Sequence, residues 1–291
     1  MSVPPPLPAD RNPGDAWVVA SDGARYWGAF GAAGLLAIDD RRGVLLQHRA
    51  QWSHHGGTWG IPGGALHADE GPLAGALRES SEEAGVPPGA IAPRALHVSD
   101  REVWTYTTVM ADVIAEFDPV AADAESIALA WVPTDEVSGL ALHPGFAAAW
   151  PALREALGVR PVIVVDVANV VGAVPDGWWQ DRAGAALRHL ERLANLAASP
   201  VPAGALSLPL HGWFPRIVAV IEGDARDIAA PTALDVRRAQ GSGDDTLAAV
   251  ASELAGSGHQ VTVVTSDRGL RARVEADASV VGARWLLDQF G

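Results

Sequence analysis

Three glutamates, Glu79, Glu82 and Glu83, stand at i, i+3 and i+4 in a segment that also carries spaced glycines, an acid and an arginine. On a helix that spacing puts the three carboxylates on one face. They repel one another unless a cation joins them. A hard ion such as Mg²⁺ prefers oxygen ligands and shares its other positions with substrate phosphates. The chemistry that follows is metal-assisted hydrolysis at phosphorus, in which the ion neutralises phosphate charge and helps to ionise the attacking water. Arg78, four residues before Glu82, is placed to orient it.

The surrounding residues, GALHADEGPLAGALRESSEEAGV over 64–86, are expected to form a loop, a helix and a loop. Asp69 and Glu70 are expected as N-cap and first-turn acids, with Pro72 in the first turn. Gly85 suits the position just past the helix end, and Pro87-Pro88 forbid continuation. Leu73, Ala76, Leu77, Ser80 and Ala84 repeat at helical spacing and predict the buried stripe. Ser80 on that stripe is expected to bond the carbonyl four residues back.

The fixed points run Gly64, five residues, Glu70, seven residues, Arg78-Glu79, two residues, Glu82-Glu83, one residue, Gly85. Preceded by Trp59-Gly60-Ile61-Pro62-Gly63, this resembles the signature box of the Nudix hydrolases. Ser80 departs from the family's aliphatic residue but removes no proposed ligand. The resemblance implies an α/β/α sandwich and cleavage of a pyrophosphate linkage in a nucleoside diphosphate joined to another group. It implies Mg²⁺ or Mn²⁺ as cofactor, with Arg78, Glu79, Glu82 and Glu83 as the catalytic set. Glu82 and Glu83 are the expected ligands, and Glu79 is a ligand or the general base. Substrate contacts are expected from Arg49, Trp59, Gly63 and Gly64, and specificity from loops 51–58 and 96–110.

Strand-like runs at Gly34–Ile38, Gly43–Gln47, 95–113 and Ile127–Val132, with a helix at Pro144–Leu157, account for a first domain over 1–159. A second pattern fills 160–291. Three short β-branched runs end in acid: Val162–Val165 at Asp166, Ile217–Ile221 at Glu222, and Val261–Val264 before Asp267. With helices expected at 180–197 and 245–256, this is a βαβ alternation, in which strands buried on both faces read as continuous apolar runs. Such a parallel-sheet α/β domain gathers ligands at the carboxyl ends of its strands.

The pieces VVDVANV, GSGDDTLAA and VTSDRGL resemble the PIN-like and NYN nucleases. The resemblance implies a metal site of Asp166, Asp244, Asp245 and Asp267 supported by Asn169, Glu222 and Arg268, and single-stranded RNA as partner. Val167 departs from the small residue usual after the first acid. Arg237, Arg238, Arg268, Arg271 and Arg273 are candidate phosphate contacts. The plainer alternative is that these acids cap helices and the arginines are ordinary surface residues.

Composition bounds the rest. The 291 residues contain no cysteine, which removes disulfides, thiolate catalysis and cysteine-ligated zinc. The net charge of −14 argues against broad attraction to nucleic acid. It is uneven: 9 Arg face 20 acids up to residue 159, against 12 and 15 after it. No apolar run approaches membrane-spanning length, and a cytoplasmic protein without membrane contact is expected. His54-His55 are candidates for touching substrate, and His67 is expected to be exposed. Trp178-Trp179 are read as packing in preference to a base-stacking platform. Two alternatives to a nucleotide hydrolase stay open: a ribonuclease whose first domain removes a 5′ pyrophosphate or cap, and a nucleotide-sensing module that does not turn over.

Overall fold

The computed structural model describes residues 14–121 and 124–290. From the three consecutive prolines at 4–6 the sequence predicts a flexible lead-in over 1–15, which lies outside the described residues up to residue 13. The chain divides into two compact units. The first runs to Leu157 and includes Pro209–His211; the second comprises Gly158–Leu208 and the residues from Gly212.

The first unit begins with a hairpin, β1 (Trp17–Val19) and β2 (Arg25–Trp27). Its main sheet contains β3 (Ala32–Asp39), β4 (Gly43–Arg49), β5 (Trp59–Gly60), β6 (Gly63–Ala65), β7 (Ile91–Asp100), β8 (Thr105–Val113) and β9 (Ser126–Val132). The strands run in the order β7-β8-β3-β4-β5, with β6 also on β3 and β9 on β4. The β3–β8 pair is parallel and the other pairs are antiparallel. Asp39 makes the β3–β4 turn by accepting the amides of Arg41 and Arg42, both at 2.9 Å. Strand alternation then sorts the side chains. Ala33, Leu35, Ala37, Leu45, Val109 and Ala111 form one core with helix α1 (Pro72–Ala84), which contributes Ala76 and Ala84. Leu36, Leu46 and Met110, of opposite parity, are fully buried too. Helix α2 (Pro144–Ala156) buries Phe146, Trp150 and Leu153.

The second unit has a five-stranded, wholly parallel sheet. Its strands are β10 (Pro161–Asp166), β13 (Arg216–Ile221), β14 (Asp235–Arg238), β15 (Gln260–Val264) and β16 (Ser279–Val281), in the order β14-β13-β10-β15-β16. Between them lie α3 (Val167–Gly172), α4 (Arg182–Ala197), the two-residue ladder β11 (Val201–Pro202) with β12 (Gly212–Trp213), α5 (Ala203–Leu206), α6 (Gly243–Gly256) and α7 (Arg268–Val274), and α8 (Ala283–Asp288) follows β16. All six residues of β10 are buried because both faces are covered. Ile163 and Val165 pack with Leu190 and Leu193 of α4. Val162 and Val164 pack with Leu247, Val250 and Leu254 of α6. That double burial is why the run reads as continuous Val and Ile. The edge strands β14 and β16 are short, and β14 is polar, so neither carries the apolar signal of the three inner strands.

Candidate active site

The box helix starts later than the expected N-cap. Gly71 occupies that position without a side-chain cap, and the first turn holds no acid. Asp69 and Glu70 precede the helix, with Asp69 at a φ of 62°. Glu70 has a different task. It accepts the His67 amide at 3.0 Å and both Nε and Nη2 of Arg78, at 2.9 and 2.8 Å. The Arg78 guanidinium holds the Glu70 carboxyl down to about 2. Arg78 also donates to Glu79 at 2.7 Å and to the Ala65 carbonyl at 3.0 Å, and reaches Glu82 only at 3.3 Å. Its principal partner is therefore Glu70, with Glu82 a longer contact. Arg78 ties the loop before the helix to the helix itself.

Gly85 closes α1 as expected. Its φ of 64° is left-handed, and its amide reaches the Ser81 carbonyl at 3.1 Å. Ser80 is fully buried, and its hydroxyl donates to Leu77 O, three residues back where four were expected. Leu73 and Leu77 are half-buried, leaving Ala76, Ser80 and Ala84 as the inner line of the stripe. His67, expected exposed, is half-buried.

The three carboxylates of the box stand in different surroundings. Glu82 is exposed. Glu83 is buried, accepting the Gly63 amide at 3.0 Å and Gln47 Nε2 at 3.3 Å. Glu79 lies against Gly64. Burial, with Glu82 and Glu125 nearby, pushes its carboxyl up, although Arg78 opposes this. A Cβ on Gly64 would fall 2.6 Å from the Glu79 carboxyl group. One on Gly63 would fall 2.4 Å from Gly34 Cα. Gly63 lets its backbone lie against that of Gly34, and Gly64 leaves room for the Glu79 carboxyl. Gly64→Ala is accordingly expected to keep the fold while lowering kcat roughly 10- to 100-fold, because the methyl must shift Glu79 by about an ångström. Steady-state rates alongside circular dichroism check this.

The donors suit a hard cation. Glu79, Glu82 and Glu83 offer only oxygen, and beside Glu83 the Oε1 of Gln47 is buried without a hydrogen-bond partner. Gln47 was not legible as a site residue, because it projects from β4, far in sequence from the box. Glu125 and Tyr106 escaped for the same reason. Tyr106 lies under the glycine loop, and its phenol is pushed up by burial, with Glu83 close by.

A cavity of about 650 Å³ opens over Gly63 and Gly64. This is a usual size for a small-molecule site. Arg49 lines it, as expected of a substrate contact, together with Glu125, His54 and His55. Trp59 does not: its ring stacks on His48 at 4.7 Å and 8°. The hairpin and the 99–106 segment line the cavity instead. Trp17, Arg25, Tyr26, Trp27, Arg101 and Trp104 form an aromatic and cationic wall. Tyr26 stacks on Trp104 at 4.9 Å and 14°, and Trp104 Nε1 donates to the Trp27 carbonyl at 3.1 Å. His143, the α2 N-cap, is a further lining residue that sequence reasoning missed. Burial, then Arg49, brings it down to about 4, so its ring is neutral near pH 7.

A model of the NUDIX domain matches residues 29–156. The putative 8-oxo-dGTP diphosphatase 3 of Mycobacterium tuberculosis strain H37Rv is 49% identical over 166 residues, covering 54% of this chain and 76% of that protein. The chain belongs to the Nudix family. A nucleoside triphosphate pyrophosphatase/Nudix hydrolase fusion protein of Bifidobacterium longum is 43% identical over 155 residues, which is 50% of this chain and 32% of that one. The crystal structure of RenU, a Nudix hydrolase from M. smegmatis, is 47% identical, covers 49% of this chain and 94% of its own, and gives a TM-score of 0.45.

The Nudix unit thus accounts for the first constellation. In the second unit the acids divide. Asp166, 8% exposed at the end of the central strand, accepts Thr265 Oγ1 at 2.9 Å and the Asn169 amide at 3.1 Å. Burial pushes its carboxyl up, and nearby Asp244 and Glu222 add to this. Glu222 accepts the Gly243 amide at 2.8 Å, and Asn169 Oδ1 accepts the Ser266 amide at 2.8 Å. Asp166, Glu222 and Asp244 are therefore neighbours. Asp267 instead caps α7 through the Leu270 amide, and Asp245 is paired with Arg273 at 2.7 Å. Asp267 is thus a helix cap and Asp245 an ion-pair partner. Arg237, Arg238 and Arg271 make contacts within their own unit, to Asp235, to the Arg226 and Ile228 carbonyls, and to the Val280 carbonyl. Arg268 opens α7, next to Asp267. Trp178 packs on the core, while Trp179 is 60% exposed, with the rings edge to face. They form no parallel stacking platform. No helix among the described residues is long and apolar enough to cross a membrane.

Proposed function

We propose that the Nudix unit hydrolyses a nucleoside triphosphate to the monophosphate and pyrophosphate, with purine nucleotides, including oxidised ones, as the substrate class. The observation that carries this reading is the Glu79–Glu83 face set against the Gly63-Gly64 floor of an aromatic cavity. The name of the mycobacterial relative points to the same class. A divalent cation, Mg²⁺ or Mn²⁺, held by Glu82 and Glu83, with Glu79 as a further ligand or as the base, would neutralise the phosphates and lower the pKa of the attacking water. Arg49 offers positive charge at the cavity wall, and the stacked Tyr26–Trp104 pair offers a flat apolar face for a base. Glu79, whose carboxyl is pushed up by burial, and Glu125 are the two candidates to take the proton from water. Turnover of a nucleotide panel by the full chain, with and without chelator, tests the reading.

A second reading concerns the other unit. Asp166, crowded by Asp244 and Glu222 at the carboxyl end of the central strand, sits where the strand order reverses, which is where such sheets bind ligands. This placement supports a PIN-like, metal-dependent nuclease site acting on single-stranded RNA, with Asn169 and Thr265 holding Asp166. Asp166→Asn is then expected to lower RNA cleavage at least about 100-fold while nucleotide hydrolysis stays at the wild-type rate. Gel analysis of an end-labelled RNA checks it, and cleavage unchanged in the mutant rejects this reading.

A further inference from the structure

The loop 52–58 and the start of α2 bring three imidazoles together outside the carboxylate face. His54, His55 and His143 have ring nitrogens that all lie within 4.8 Å of one another. The rings of His54 and His55 are 4.1 Å apart, and those of His55 and His143 are 4.8 Å apart. Among the described residues this is the group whose ligand atoms converge in that way. Zinc bound to tetrahedral imidazoles needs nitrogens about 3.4 Å apart. The approach of roughly an ångström can come from His54 and His55, both exposed.

The loop itself is held in place. Thr58 Oγ1 donates to the His55 carbonyl at 2.6 Å, Ser53 Oγ to Ala50 O at 2.8 Å, and Arg49 Nε to His54 O at 3.3 Å. His55 has a φ of 56°, an uncommon conformation that turns successive histidine side chains toward one region.

We propose that His54, His55 and His143 bind a borderline divalent transition cation, zinc being the best match, with the remaining position open to water or an anion in the cavity. Three neutral imidazoles are a donor set for zinc, copper or nickel and a poor one for Mg²⁺. The site is therefore chemically distinct from the carboxylate face. Two features moderate its affinity. His143 Nδ1 accepts the Gly145 amide at 3.2 Å, a long bond that coordination through either ring nitrogen disrupts, since Nε2 binds only when Nδ1 carries the proton. Arg49 lies near His54 and His143 and repels a cation. Together they place the dissociation constant on the order of micromolar, well short of a structural zinc site. The same Arg49 beside the ion favours an anion in the open position.

The test uses the tag-free full chain, dialysed against zinc chloride in the presence of millimolar Mg²⁺, with bound zinc counted by plasma mass spectrometry. One equivalent is expected for the wild type and for Glu82→Gln. His55→Ala and His143→Asn are each expected to weaken binding at least tenfold; Asn can keep the α2 cap, and thermal melting without zinc shows that the fold is kept. Cobalt substitution should give the visible d–d bands of a nitrogen-ligated ion in the wild type and not in His55→Ala. Failure to reach one equivalent at zinc well above the micromolar range, binding unchanged in both histidine variants, or an equivalent lost in Glu82→Gln would each overturn the proposal.

Discussion

Glu82→Gln is expected to lower kcat roughly 1,000-fold with little change in thermal stability. The side chain is 62% exposed, and its contact with Arg78 is the longest that this arginine makes to a carboxylate, at 3.3 Å, so the fold loses almost nothing when the charge is removed. What is lost is a negative oxygen on the face proposed to hold the ion. Glu83→Gln should cut turnover by a similar factor but behave differently on melting. Glu83 is buried and accepts the Gly63 amide, so the amide variant weakens a charge-assisted bond and is expected to cost about 1 kcal/mol as well. The contrast separates a chemical role from a structural one. Stopped-flow turnover and calorimetric melting of the two variants, side by side, read both quantities. Wild-type turnover in both would remove the carboxylate face from the mechanism.

The largest effect on stability is expected from Arg78→Ala, which should cost about 2–3 kcal/mol. The guanidinium is 21% exposed and its partner Glu70 12%, and removal takes two charge-assisted donors from the Glu70 carboxylate, leaving it the His67 amide, and one from the Ala65 carbonyl. Glu70 also gives the pair a definite pH signature. Its carboxyl is held at about 2 against an ordinary value of 4.5, so the folded state binds the proton less readily than the unfolded chain. The stabilisation is fully present above about 4.5 and disappears as the pH falls toward 2. The difference in Tm between wild type and Glu70→Gln should therefore be largest near neutrality and shrink steadily through the acid range. A difference independent of pH would show that the pair does not hold the loop through charge.

Local and periodic signals were legible in the sequence. The box helix, its glycine stop and the acids that end the inner strands all follow from spacing within a dozen residues, and Gly85, Asp166 and Glu222 stand where those spacings place them. Asp69 and Glu70 show the limit of such reasoning. Acids just before a helical run fit a cap, yet Glu70 is drawn instead to an arginine two turns on, because a bidentate ion pair outweighs a single cap bond.

What escaped was assembled from afar. The β1–β2 hairpin is two three-residue strands with no alternating run long enough to register, yet it builds one wall of the cavity. Gln47, Tyr106, Glu125 and His143 come from four separate elements and meet only once the strands pair. Trp59 illustrates the converse: next to the box in sequence, it faces His48 and not the cavity.

The Glu79, Glu82 and Glu83 face is proposed to hydrolyse a nucleotide pyrophosphate bond. Its most direct test is mass spectrometry of the full chain incubated with Mg²⁺ and ordinary and oxidised nucleoside triphosphates, ADP-ribose and dinucleotides, with Glu82→Gln run in parallel. A nucleoside monophosphate and pyrophosphate are expected from a purine triphosphate with the wild type, and neither with the variant or with chelator present. Equal product from Glu82→Gln, or no product from any member of the panel, would contradict it.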